Sequence, residues 1–202
     1  ASLRMAVRSA LLQGPEVREV LVVDDNRLPG NEAEVPAVLA AIGDPRVRYL
    51  RNRGCPGGAA ARNVALLQAT APFVAFLDDD DQWLPGKIDA QLAAMTPDLV
   101  GIDCGYIDRD DAWGLLLEVP GEHRVRTQSE LLAGYCPTSS SLVMLRREIA
   151  LKAGLFDERL PSFEDYDFWL RCAAFGAFST VLGPRCVYVQ HPGHRLSSSL
   201  DL

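Results

Sequence analysis

Four consecutive aspartates, Asp78, Asp79, Asp80 and Asp81, follow the apolar run FVAFL (73–77) without a spacer. Carboxylates held that close repel one another, and a buried strand that delivers them into a turn calls for a compensating cation. Oxygen-only donors select hard metals. Mg²⁺ or Mn²⁺ held by one or two carboxylates, with its other positions left to water and a diphosphate, is therefore the chemistry the run suggests. The alternative is a solvated acidic loop ahead of a helix that opens near Pro85. Asp24 and Asp25 end the run VREVLVVDD (17–25) in the same way. Carboxylates there also commonly close the next turn through their own backbone.

Other residues add weaker signals. GGAAARN (57–63) places small residues and Arg62 at a helix start, where free N–H groups and a guanidinium can meet a phosphate, or where close packing simply needs small side chains. It is neither a Walker loop nor G-x-G-x-x-G. Glu164 and Asp165 open EDYDFWLRCAA (164–174), with Ser162 as a candidate cap; acids in a first turn favour the helix dipole, and one that is partly buried can serve as a general base. His191 and His194 stand three apart after an expected strand and can contribute to a metal site, without an evident third ligand nearby. The hydroxyl run at 138–141 lacks G-x-S-x-G, so serine hydrolase chemistry has no support.

The elements that must carry these residues alternate. Strands are expected at 17–25, 47–50 and 73–77, and helices at 33–42, 59–69 and from Pro85 to Met95. Such alternation implies right-handed crossovers and an α/β fold, a mostly parallel central sheet flanked by helices. Ligands of such sheets bind at the carboxyl ends of the strands, which places both acidic clusters on one rim. The second half, with expected strands at 99–107, 115–119, 142–145 and 186–190, lacks regular crossovers and reads as a mixed sheet.

The 202 residues suit a single domain, with 48% hydrophobic and 23% charged residues and a formal charge of -7. That balance leaves no broad basic face for nucleic acid. No apolar run is long enough for a membrane span and no signal-peptide order opens the chain. The five scattered cysteines form no C-x-x-C pair and fit a reducing cytoplasm.

In order along the chain, VLVVDDN (20–26), GGAAARNVAL (57–66), FVAFLDDDDQWLPGKI (73–88) and GLFDERLPSFEDYDFWLR (154–171) resemble family 2 glycosyltransferases of the Rossmann-like GT-A fold. The resemblance implies a single catalytic domain, with a nucleotide-sugar-binding half at 1–100 and an acceptor-binding half at 101–202. It implies Asp25, supported by Asp24, at the nucleotide base, and Arg62, Asp78 and Asp79 at the donor. It places Asp78 and Asp80 in a metal-binding D-x-D, with His194 or His191 as a further metal contact. Asp165 is then the catalytic base and Glu164 orients the acceptor. The implied reaction is inverting transfer from a nucleotide-diphosphate sugar, with UDP the family's commonest donor, to a hydroxyl of a glycan, lipid-linked or small-molecule acceptor, using Mn²⁺ or Mg²⁺. A cytoplasmic protein, with or without peripheral contact to the membrane's inner face, fits that chemistry.

Two departures accompany the resemblance. Family members open with an apolar strand, whereas Ala1 already falls within the expected first helix, so that strand is expected to be absent. The Gly-Ser-x-Asp that usually follows the first acidic pair is replaced by NRLPG (26–30). Two other classes stay open at this point: a noncatalytic nucleotide- or carbohydrate-binding relative, and an aspartate-nucleophile phosphohydrolase, which also carries D-x-D after a buried strand.

Overall fold

A computed structural model describes residues 2–110, 114–122 and 124–190. Helix α1 (Ser2–Leu11) buries Ala6, Val7 and Ala10. Strand β1 (Val20–Asp24) and strand β2 (Val47–Arg51) pair in parallel, Val20 opposite Val47 and Asp24 opposite Arg51. Helix α2 (Glu34–Ile42) joins them and stops at Gly43, whose positive φ of 66° turns its N–H back onto the Leu39 carbonyl. Helix α3 (Gly58–Gln68) follows β2.

The larger sheet contains β3 (Phe73–Ala75), β4 (Gln82–Trp83), β5 (Leu99–Asp110), β6 (Leu115–Val119), β7 (Met144–Arg146) and β8 (Ala177–Gln190). Its order is β3-β7-β5-β8-β4, with β6 paired to β5 beyond the path. Helices α4 (Lys87–Ala94), α5 (Gln128–Leu132), α6 (Arg147–Lys152) and α7 (Glu164–Cys172) pack around it. Every expected helix of the first half is present within two residues of its anticipated bounds, and Pro85 lies just ahead of α4 rather than inside it.

Pairing is where pattern and structure differ. Among the described residues, parallel ladders join β1 with β2 and β5 with β8, and the other four ladders are antiparallel. The apolar run at 73–77 forms ladder bonds only over β3, because β7, its partner, is three residues long. The expected 186–190 strand is the end of a 14-residue strand that crosses the whole sheet. β4 has too little sequence for any periodicity to show and exists through its pairing with Cys186 and Val187.

β1 and β3 do not pair with each other. Both line a cavity of about 1650 Å³, together with α1 and the inner face of α3. The main core lies on the other side of the large sheet's central strands, where Trp169, Phe168, Phe156, Phe178 and Leu145 are almost fully buried. Helix α7 buries Phe168, Trp169 and Cys172 in that core, Trp169 being the largest of them.

Tight packing at β5 leads to a stability prediction. A Cβ at Gly101 would lie 2.4 Å from the Phe178 ring, which is fully buried. Gly101→Ala is expected to destabilise the fold by about 1–3 kcal/mol through overpacking. Thermal denaturation followed by circular dichroism should show Tm falling by roughly 2–10 °C.

Candidate functional site

The first acidic pair divides its roles because successive strand residues point to opposite faces. Asp24, 3% exposed, accepts from the Asn26 amide at 2.9 Å, the Tyr49 hydroxyl at 3.0 Å and Arg51. Burial works against its charge, but the Asn26 amide, Tyr49 and Arg51 outweigh it and hold the carboxyl below its usual range. Asp25 instead points along the rim. It accepts from the Gly57 amide at 2.6 Å, the Asn52 side-chain amide at 2.7 Å and Arg27 at 2.8 Å. Gly57, with φ of 121°, brings the start of α3 against that carboxylate.

The second acidic cluster is a tight turn, closed by the Asp81 amide on the Asp78 carbonyl at 3.2 Å. The Asp78 amide donates to the Ser141 hydroxyl at 3.0 Å, and the Trp83 indole N–H donates to the Ser141 carbonyl at 2.9 Å. Asp81 is buried and accepts the Val189 amide at 2.9 Å, which ties the turn to the end of β8. Burial pushes its carboxyl up to about 7, against the Ser141 hydroxyl and the Val189 amide. Asp80 is half-buried and Asp79 exposed.

Arg62, in the first turns of α3, joins this turn to α7. Its guanidinium donates to Asp78 at 2.9 Å and to Glu164 at 2.9 Å. Burial disfavours the cation, but Asp78 and Glu164 more than restore it and raise its pKa. Asn63 beside it clamps the loop before α7, donating to the Phe156 carbonyl and accepting the Phe156 amide, both at 2.9 Å. Asp165 is half-buried and accepts the Tyr166 amide at 2.7 Å. Burial, and then the neighbouring Glu164 charge, raise its pKa.

Ser162 does not cap α7. The cap position is Phe163, in the left-handed conformation at φ 59°, and no side chain accepts there. A bulky residue at positive φ is strained, and here the strain sits immediately before Glu164 and Asp165.

Asp24, Asp25, Arg62, Asp78 and Asp79 all line the 1650 Å³ cavity where β1, β3 and the start of α3 meet it. Glu164 reaches the same region through Arg62, and Asp165 follows it in the first turn of α7. A divalent cation fits the donors present: Asp78 gives one oxygen to Arg62, keeps a side chain 38% exposed, and shares its turn with Asp80. The arrangement suits one or two carboxylates completed by diphosphate oxygens rather than an all-protein cage. Among the described residues no group of three or more His, Cys, Asp or Glu is gathered for a metal. His191 and His194 lie outside the described residues.

Sequence reasoning missed Asn52, Arg27 and Ser141. Asn52 fixes Asp25 from 27 residues away and Arg27 from two, both in loops without periodicity, and Ser141 belongs to the hydroxyl run that carried no motif. Trp83, within the quoted run FVAFLDDDDQWLPGKI (73–88), held the one local signal, since its indole grips the backbone of Ser141.

Residues 1–150 match the family model described as glycosyl transferase family 2. An Escherichia coli relative, the UDP-Glc:alpha-D-GlcNAc-diphosphoundecaprenol beta-1,3-glucosyltransferase WfaP, is 30% identical over 84% of this chain and 64% of its own length. The crystal structure of S. aureus TarS 1–349 in complex with UDP-GlcNAc is similar with a TM-score of 0.76 and 21% identity, covering 96% of this chain and 56% of that one. The mannosyltransferase PcManGT from Pyrobaculum calidifontis, in complex with GDP-Man and Mn²⁺, is similar with a TM-score of 0.66 and 18% identity, covering 96% and 55%. At these identities the two structures establish the fold, a GT-A glycosyltransferase fold. The chain thus spans a little under two thirds of the relative's length.

The strained residue ahead of α7 gives a prediction that needs no substrate. Phe163 is 58% exposed, so replacing it loses little packing while glycine accepts its φ freely. Phe163→Gly is expected to stabilise the chain by about 1 kcal/mol, read as a higher urea midpoint at unchanged slope.

Proposed function

The chain belongs to glycosyl transferase family 2, and on that premise we propose that it moves a sugar from a nucleotide-diphosphate donor, a UDP-sugar, to an acceptor hydroxyl on a lipid-linked glycan or polysaccharide, with inversion. The observation that carries this reading is the Arg62 bridge, which sets the acidic turn beside the helix that bears Asp165. The family match and the UDP-sugar chemistry in the name of the E. coli relative support donor and acceptor class.

In this mechanism Asp25, supported from behind by the buried Asp24, forms the base end of the donor site and Arg62 faces the diphosphate. Asp78 and Asp80 would hold Mn²⁺ or Mg²⁺. When bound, that cation neutralises charge on the leaving diphosphate. Asp165 takes the proton from the acceptor hydroxyl as its oxygen attacks the anomeric carbon; the C–O bond to the diphosphate breaks on the opposite face. Glu164 orients the acceptor while anchored to Arg62. The raised pKa of Asp165 makes it a better proton acceptor than a solvated aspartate once ionised.

A second reading is a noncatalytic nucleotide-binding relative, in which the same carboxylates lining the large cavity hold a nucleotide without transfer. Calorimetric titration decides. UDP with Mn²⁺ is expected to bind, EDTA to abolish binding, and ADP and GDP to bind more weakly; UDP binding with no turnover of any UDP-sugar would favour the second reading. Asp80→Ala should lose the metal-dependent part of that affinity.

Asp165→Asn should lower transfer by about 100-fold or more while UDP affinity stays within twofold. Because the base acts ionised and its folded pKa is raised, kcat/KM should fall as pH drops through a value above the ordinary aspartate pKa of about 3.9. An acidic limb that persists unchanged in an Asp165→Asn variant would remove Asp165 from that role.

A further inference from the structure

Lys87 opens α4 with no exposed surface, beside Trp83, Cys104 and Cys186 of one apolar cluster. Among the described residues it forms no ion pair, and its amine donates one side-chain hydrogen bond, to Gln91 Oε1 at 2.8 Å. Burial drives its pKa down, while Cys104, Cys186 and Asp103 act the other way. An amine held there without a carboxylate partner burdens the fold, since an apolar side chain of the same length fills the space without losing hydration. Filling the core therefore does not account for it.

Two arms leave the Lys87 nitrogen. It lies over the face of the Trp83 ring, 4.5 Å from its centre, which fixes the plane of the indole. The indole N–H then donates to the Ser141 carbonyl at 2.9 Å. On the other arm, Gln91 turns its oxygen to Lys87 and its amide nitrogen to the Leu142 carbonyl at 2.8 Å and the Ile102 carbonyl at 2.9 Å. A buried side-chain amide can present either end, and a donor on its oxygen decides which. Lys87 is that donor.

Both arms end on consecutive carbonyls of one short 3-10 turn, Ser140–Leu142. Ser141 is fully buried there, and its hydroxyl accepts the Asp78 amide at 3.0 Å. The hydroxyl goes where its backbone puts it, so a turn held at two carbonyls fixes the height at which the acidic run leaves β3. A hydrogen-bonded network of this kind acts as a unit, and losing one member loosens the rest.

We propose that Lys87 is a positioning residue for the acidic turn: by orienting Trp83 and Gln91 it sets the Ser140–Leu142 turn, and through the Ser141 hydroxyl it sets Asp78 for the cation and the donor diphosphate. Lys87 touches no reacting atom. The proposal rests on the glycosyl-transfer reading above and adds to it a residue that acts on the donor site from inside the core.

Lys87→Met keeps the length of the side chain and loses its nitrogen, whereas Trp83→Phe keeps an aromatic face and loses the indole N–H. Calorimetry of UDP with Mn²⁺ compares the native chain, each variant and the double variant, with Tm reporting the fold. Hydrogen exchange of the indole N–H groups is followed by NMR, that of Trp83 being assigned by its loss in Trp83→Phe and that of Trp169, in the main core, serving as reference. In Lys87→Met, UDP affinity with Mn²⁺ should fall roughly tenfold or more, and the Trp83 indole should exchange about tenfold faster while Trp169 is unchanged. Trp83→Phe should weaken UDP as well, and the double variant should lose no more than the larger single loss. Unchanged UDP affinity in folded Lys87→Met, losses that simply add in the double variant, or faster exchange of both indoles alike overturns the proposal. Lys87→Leu takes the place of Lys87→Met if Tm shows that the latter does not fold, and a chain that folds with neither makes Lys87 a structural residue and overturns the proposal too. If UDP fails to bind the native chain, the glycosyl-transfer reading falls, and indole exchange decides the link from Lys87 to the turn: selective loosening of Trp83 upholds it and no change overturns it.

Discussion

One guanidinium holds the candidate site together. Arg62 bonds Asp78 and Glu164 at the same distance of 2.9 Å, and with them links the start of α3, the turn after β3 and the first turn of α7. An acidic chain of net charge -7 that brings together carboxylates from two elements faces mutual repulsion at that point. Arginine suits the position better than lysine because its planar fork addresses two carboxylates at once and stays ionised under burial. The guanidinium also rests 5.6 Å from the Phe156 ring, in the loop that Asn63 clamps. Position and charge are therefore fixed by the same short stretch of α3.

The rest of the scaffold limits where that bridge can go. The acidic turn is pinned from behind by Ser141 and by Asp81 on β8, so Asp78 cannot follow Arg62 if α3 shifts. The base helix is pinned by its aromatic underside, where Phe168 and Trp169 pack against Phe156 at centroid separations of 4.1 and 5.8 Å. Among the described residues, β1 and β2 contact the remainder through α1, α2 and α3, with no ladder bonds to the larger sheet. A two-stranded sheet has little stability of its own, so the Asp25 contacts to Asn52 and Gly57 also serve to hold that unit against α3.

What the sequence disclosed follows from how far each interaction reaches. Apolar runs that end in carboxylates are local patterns, and both acidic clusters were legible at strand ends, as was Asp165 at a helix start. Ser141, Asn52 and Arg27 act on residues 63, 27 and two positions away, through loops without periodicity, and nothing local marks them. The mistaken Ser162 cap has the same origin: a serine near a helix start is a sound local signal, but the chain enters α7 through the strained Phe163 and the hydroxyl is not used. Alternation of strands and helices read correctly as α/β, whereas the antiparallel ladders of the larger sheet depend on β7 and β8, whose partners lie far along the chain.

Asp24 and Asp25 show why identical neighbours need not share a role. Strand geometry turns Asp24 toward β2, where Tyr49 and Arg51 satisfy it and, with the Asn26 amide, hold its carboxyl below the usual range against burial. Asp25 falls one residue past the ladder and gathers the Gly57 amide and two side chains at the rim of the cavity. The buried charge therefore fixes the backbone from which the exposed one projects. The same division recurs in the second cluster, where Asp81 is buried against β8 while Asp78, three residues earlier, remains open to solvent and to Arg62. Each strand end spends one carboxylate on holding its own turn, which leaves the other placed rigidly enough to meet a ligand.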